Sequence, residues 1–239
     1  MIPLYVICWR NFNIAEACLE SIIETASEEL EITVVSPNDK LPNSGTAQIR
    51  SYLQELACQN KIKRALFFEE NVFGWGLMKA IEDFPPQSPL FFCTDGDLIL
   101  PENVDWVGLS KKYHEDHWVV TGCNLSTENY LPPNHGFSKE DENFGMWLQC
   151  LKTDWFWHFH GTQQNSIDSR IMDIARFTGG ATKIREIEAI HTTWEIHDPN
   201  SPYYDPEYSQ YKKERASGWV FDSRPDNMNY TLVEKTDIV

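Results

Sequence analysis

The chain has 239 residues, 41% hydrophobic and 23% charged, enough length and apolar content to bury a core, which excludes a disordered chain or a disulfide scaffold. Its 20 Lys and Arg against 36 Asp and Glu give a formal net charge of -16, which disfavours nucleic acid and anionic membrane surfaces as partners. A phosphate-bearing ligand would need a divalent cation, or a few well-placed basic groups, between itself and the protein.

Residues 2–8 form a short, nearly all-apolar run that predicts a first strand, and Asn13 precedes a helical pattern through Ile14, Ala17, Cys18, Ser21 and Ile22. Residues 31–35 predict a second strand, closed by the loop formers Ser36, Pro37, Asn38 and Asp39. A helix is expected over about 46–58, then a strand over 65–68, a helix after Gly74 through Leu77, Met78 and Ile81, and a fourth strand over 89–93. Strands apolar on both faces and joined by helices predict an α/β fold, with a parallel sheet covered on both sides.

The second half is less regular. Aromatic strands are expected at 118–122 and 146–151, a loop rich in Pro, Asn and Asp at 126–143, a helix over about 168–177, and a late strand at 183–187 ending near His191. From Asp198 the chain turns rich in Tyr, Pro, Asp and Ser, with Trp219 its main apolar anchor. This divides it into a domain over 1–197 and an extension over 198–239 that packs on the domain or covers a site. Cys8, Cys18, Cys58, Cys93, Cys123 and Cys150 include no CxxC pair and are expected to be buried, reduced thiols. No basic leader precedes the first strand and no apolar run reaches the ~20 residues that span a bilayer, so the expectation is a cytoplasmic protein without a transmembrane segment.

The strongest local signal is Leu90-Phe91-Phe92-Cys93-Thr94-Asp95-Gly96-Asp97, a buried strand running into two acids separated by one residue. Ligands of open α/β sheets sit at the carboxyl ends of strands, and hard oxygen donors there suit Mg²⁺ or Mn²⁺ carrying phosphates. The plain alternative is a turn in which Asp95 caps the backbone around Gly96. Residues 154–160 would place Trp155 and Trp157 on one face of a strand, as core or as rings for a sugar acceptor, with His158 and His160 on the other. His114 and His117, beside Glu115 and Asp116, are expected on a solvated helix face, and no GxSxG nucleophile motif is present.

Asp95-Gly96-Asp97-Leu98-Ile99-Leu100-Pro101 resembles the DxD motif and following apolar-Pro stretch of the family 2 glycosyltransferases, and Asn71 through Gly74-Trp75-Gly76-Leu77-Met78-Lys79 resembles the Gly-rich helix start that precedes it. The resemblance covers roughly residues 1–195. It implies the GT-A fold, a Rossmann-like mixed and mostly parallel sheet flanked by helices. It further implies metal-dependent, inverting transfer of a sugar from a nucleotide-diphosphate donor, most simply a UDP-sugar, to a saccharide or other hydroxyl acceptor, with Mn²⁺ or Mg²⁺ as cofactor. By the same resemblance Asp97 is the metal ligand, Asp95 contacts the donor ribose or sugar, and Lys79 approaches the phosphates. Trp9, after the first strand, is a further donor candidate, and Trp155 and Trp157 would line the acceptor pocket.

Asp168-Ser169-Arg170-Ile171 is similar to the family's acidic motif that opens a helix before the anomeric carbon, which implies Asp168 as general base. A helix N-cap accounts for Asp168 equally well. The late strand leads to His191, where some members supply a further metal ligand, with His197 as the alternative. Two departures stand out. Ile167 replaces the first of the usual paired acids, and Ser36 stands where the family commonly has a uracil-binding Asp, so that Asn38 or Asp39 serves instead or the base is not uracil. Two other readings stay open, a sugar-phosphate nucleotidyltransferase and a non-catalytic glycan- or protein-binding module. The first is disfavoured because Cys8-Trp9-Arg10-Asn11-Phe12 lacks the glycines of a phosphate loop.

Overall fold

A computed structural model describes residues 1–39, 44–126, 145–159, 167–215, 224–226 and 228–235, with the backbone alone for Phe73, residues 167–169 and residues 213–215. The first half alternates strictly: β1 (Ile2–Ile7), α1 (Phe12–Thr25), β2 (Leu30–Ser36), α2 (Thr46–Cys58), β3 (Arg64–Phe68), α3 (Phe73–Asp83) and β4 (Leu90–Asp95). There follow β5 (Leu98–Ile99), α4 (Trp106–Glu115), β6 (Val120–Leu125), β7 (Gln149–Lys152), α5 (Thr153–Phe159), α6 (Ile167–Thr178), β8 (Ala181–His191), a 3₁₀ turn (Thr192–His197), α7 (Pro206–Arg215) and β9 (Tyr230–Glu234). Asn11, rather than the expected Asn13, caps α1, its side chain accepting from the Ile14 N–H.

Among the described residues nine strands form one sheet in the order β5-β8-β6-β7-β4-β1-β2-β3-β9. The β4-β1-β2-β3 block is parallel, while β7 and β9 run antiparallel to it on either side, so the sheet is mixed as expected. Alternate residues of each central strand feed opposite cores. Leu4 and Val6 of β1 join α1, α2 and α4 on one face, and Tyr5 joins α3, α5 and α6 on the other. Because β2 and β4 flank β1 on opposite sides, the connection direction reverses between β1 and β4, and a crevice opens at their carboxyl ends. Residues 7–10 and 95–97 therefore lie together.

Several expectations are corrected. Residues 153–159 form a helix, not a strand, so Trp155 and Trp157 do not share a face: Trp155 packs on Phe159 one turn on, and Trp157 on Phe156. His114 is buried, not solvated, its ring nitrogens 2.8 Å from the Trp118 carbonyl and 3.2 Å from that of Cys150. The cysteines are free and buried except Cys58, which is exposed. Within 198–239, β9 completes the sheet edge beside β3, and α7 packs against the 3₁₀ turn. Residues 127–144, which hold all but the first residue of the loop expected at 126–143, lie outside the described residues, as do His160 and Trp219. No helix among those described is long and apolar enough to cross a membrane.

Candidate functional site

Gly96 allows the acidic turn to reach back onto β1. Its N–H donates to the Ile7 carbonyl at 2.7 Å, and a Cβ there would stand 2.5 Å from that oxygen and 2.9 Å from Cys8 Sγ. The glycine thus presses the turn against the end of β1, which carries Asp97 into the crevice. The Thr192 N–H and hydroxyl both donate to the Asp97 carbonyl, at 2.9 and 2.8 Å. The start of the 3₁₀ turn fixes the backbone on which the carboxylate sits.

The Asp97 side chain meets His191, the last residue of β8, whose Nε2 lies 3.2 Å from Asp97 Oδ2. The Thr193 hydroxyl donates to the same oxygen. Burial pushes the Asp97 carboxyl up, but the positive charge and hydrogen bond of His191, the Thr193 hydroxyl and the charge of Lys212 outweigh it and hold the group down at about 2. Asp97 is therefore an anion at neutral pH. Among the described residues its buried Oδ1 has no hydrogen-bond partner, and neither has His191 Nδ1. A buried carboxylate oxygen left unpaired costs free energy unless something outside the described atoms meets it, and a cation is the natural complement. Trp147 and Trp194 enclose the His191 ring, at 5.8 and 4.7 Å between centroids.

The other wall is built by Trp9 and Arg10 after β1. Arg10 is 1% exposed, with a left-handed φ of 66°. Its guanidinium donates to both oxygens of Asp205, to Asp39 and to Glu207, each at 3.0 Å. Trp9 packs edge-on to Tyr208 at 5.0 Å and touches Tyr211 at 6.0 Å. Burial, with the charges of Asp97 and Asp95, pushes the Tyr208 phenol well above its ordinary range.

The sequence-derived candidates fall into three groups. Asp95, Asp97, His191 and Trp9 converge on the crevice, and Asp39 joins them through Arg10. His197 instead accepts or donates at Ser209 Oγ, 2.6 Å away on α7. Ser36 is buried at the end of β2, while Asn38 is engaged with the loop after β3, its amide donating to the Glu69 carbonyl. Lys79 pairs with Asp83 at 2.6 Å, one helical turn further from the start of α3. Trp155 donates to Thr178 Oγ1 and, with Trp157, packs on the core of the α3 face. The side chain of Asp168 lies outside the described residues; its backbone stands in the first turn of α6. Among the described residues no group of three or more His, Cys, Asp or Glu is placed to hold a metal. Arg10, which the sequence does not single out as a site residue, lies three residues beyond the end of β1, and its carboxylate partners are brought to it only by the fold.

No protein-family model matches the chain, and no curated protein matches it in sequence. Solved structures do match in fold. The mannosyltransferase PcManGT from Pyrobaculum calidifontis, in complex with GDP-Man and Mn²⁺, superposes with a TM-score of 0.60 at 13% identity over 92% of this chain. S. aureus TarS 1–349, also solved with UDP-GlcNAc, gives 0.57 at 11% identity over 82%. GalNAc-T7 with UDP, GalNAc and Mn²⁺ gives 0.54 at 11% identity over 90%. The chain spans 65%, 61% and 54% of those three chains. It therefore shares their fold, the GT-A fold.

Proposed function

We propose that the chain is a metal-dependent glycosyltransferase that moves a sugar, with inversion, from a nucleotide-diphosphate donor to an acceptor hydroxyl. The observation that carries this reading is Asp97: a carboxylate held ionised, with one buried oxygen that has no partner among the described residues, 3.2 Å from His191 at the crevice of a GT-A sheet. A carboxylate with one oxygen that meets no donor among the described residues is a hard ligand suited to Mn²⁺ or Mg²⁺. Bound there, Mn²⁺ or Mg²⁺ would neutralise charge that develops on the diphosphate leaving group. The complexes of the similar structures, GDP-Man with Mn²⁺ and UDP with Mn²⁺, support the same chemistry for this crevice.

In this mechanism Thr192 and Thr193 hold Asp97 in place, and His191 orients its carboxylate. Asp95, at the end of β4, faces the donor ribose or sugar, and Trp9 flanks the nucleotide. Asp168, in the first turn of α6, takes the proton from the acceptor hydroxyl as its oxygen attacks the anomeric carbon and the nucleoside diphosphate leaves. α7 covers the site, and the acceptor pocket draws on Trp155 and Trp157. The test is release of nucleoside diphosphate from a panel of UDP- and GDP-sugars with Mn²⁺ and candidate acceptors. Turnover is expected in the wild type, with kcat lowered about 100-fold or more in Asp168→Asn while donor affinity holds. Absence of turnover with every donor, or full kcat in Asp168→Asn, would overturn the enzyme reading or the base assignment respectively.

A further inference from the structure

α7 is an unusual element to find beside a catalytic crevice. Its sequence, Pro-Glu-Tyr-Ser-Gln-Tyr-Lys-Lys-Glu-Arg, contains no aliphatic residue, so no apolar stripe holds it to the core. What holds it is polar and aromatic. Asp205 caps the helix by accepting from the Tyr208 N–H at 2.9 Å, and the same carboxylate receives two donors of the Arg10 guanidinium. Glu207, in the first turn, receives a third. Tyr208 and Tyr211 rest on Trp9, and Ser209 meets His197. Arg10 also holds Asp39, in the loop after β2, so one buried side chain joins the two segments that flank the crevice. A non-glycine residue at a φ of 66° persists only where its surroundings fix it, and here four hydrogen bonds do so.

We infer that Arg10 is a positioning residue for donor binding: its guanidinium docks α7 across the crevice as a detachable cover and, through Asp39, sets the loop after β2 against the same cover. This rests on the donor-site reading above. With the cover docked, the Lys212 charge acts on Asp97, the charges of Asp97 and Asp95 act on the Tyr208 hydroxyl, and the Lys212 ammonium lies 5.1 Å over the Tyr208 ring. Held this way, the cover brings the Lys212 cation to the acidic turn, where it can meet a phosphate-bearing ligand. Released, it leaves a helix with little to keep it folded, which gives the crevice a way to open.

The experiment is amide hydrogen exchange on the full chain, followed by donor kinetics. In Arg10→Met, and in the milder Glu207→Gln on a partly exposed carboxylate, amides of α7 are expected to exchange about tenfold and a few-fold faster. Amides of β1 and β4 keep wild-type rates, which separates undocking from unfolding. In turnover, Arg10→Met raises the donor KM about tenfold with kcat within a few-fold, whereas loss of folded enzyme would lower kcat at constant KM. Unchanged α7 exchange in both variants overturns the docking claim. Faster α7 exchange with donor KM unchanged overturns the positioning claim. If the wild type binds no nucleotide with Mn²⁺, the donor-site reading falls, and the docking claim is decided by α7 exchange alone.

Discussion

At the residue scale the crevice depends on one glycine as much as on its two acids. Gly96 presses the turn onto the end of β1, and in Gly96→Ala either the turn or the strand end must move, because backbone rather than a flexible side chain is in the way. A loss of about 1–3 kcal/mol is expected, read as a lower urea midpoint at unchanged m-value. An unchanged midpoint would show that the turn has room to spare. The acids themselves were legible from their place after a buried strand, and so was His191 from its place after a late one. Arg10 was not, because its partners lie 29, 195 and 197 residues away and pairing over such separations leaves no periodic trace. For the same reason Asp39, a donor candidate in the sequence, proves to be an ion-pair partner buried beside Arg10.

At the scale of elements, the first four strands were readable because both faces are buried and the runs are continuously apolar. β5 and β9 were not, β5 being two residues long and β9 a five-residue edge strand with only Val233 buried. α5 was misread because Trp155, Phe156 and Trp157 look like strand residues. What decides for a helix is its anchoring after β7, where the Thr153 hydroxyl donates to the Ser88 carbonyl and Phe156 is buried under Phe91. α4 shows the opposite case, a helix start written in one residue. Asp105 accepts from the Gly108 N–H at 2.8 Å and from the Ser27 hydroxyl of the neighbouring loop. Asp105→Ala is expected to cost about 1 kcal/mol. The Ser27 hydroxyl, ahead of the Gly108 N–H, holds the carboxyl below its ordinary value. The stabilisation is therefore present above the unfolded value near 3.9 and is lost as pH falls through the folded one. Thermal scans of wild type and variant should converge below that range; a constant gap would mean the ionised cap is not the source.

At the scale of the whole molecule, the chain after residue 198 is tied back to the beginning. β9 closes the edge of β3, and Arg64 joins the two with an ion pair to Glu234 at 2.9 Å, another to Glu31 at 2.8 Å, and its guanidinium 4.5 Å from the Phe84 ring centroid. Both carboxylates keep about a third of their exposure, so Arg64→Met should cost about 2 kcal/mol, below the range for fully buried pairs. Denaturant unfolding checks this, and a neutral result would mean that β9 is held by its backbone ladder alone. α7 is tied back in the same manner through Arg10, which brings the acidic turn, the loop after β2 and the C-terminal segment around one crevice.

The measurement that bears most directly on that crevice is calorimetric titration of UDP and GDP with and without Mn²⁺, on the wild type and on Asp97→Ala. The wild type should bind a nucleoside diphosphate at least about tenfold more tightly with the metal, a gap of about 1.4 kcal/mol, and Asp97→Ala should show no difference between the two conditions. Metal-dependent binding that survives undiminished in Asp97→Ala would contradict the assignment of Asp97 as the residue that holds the cation.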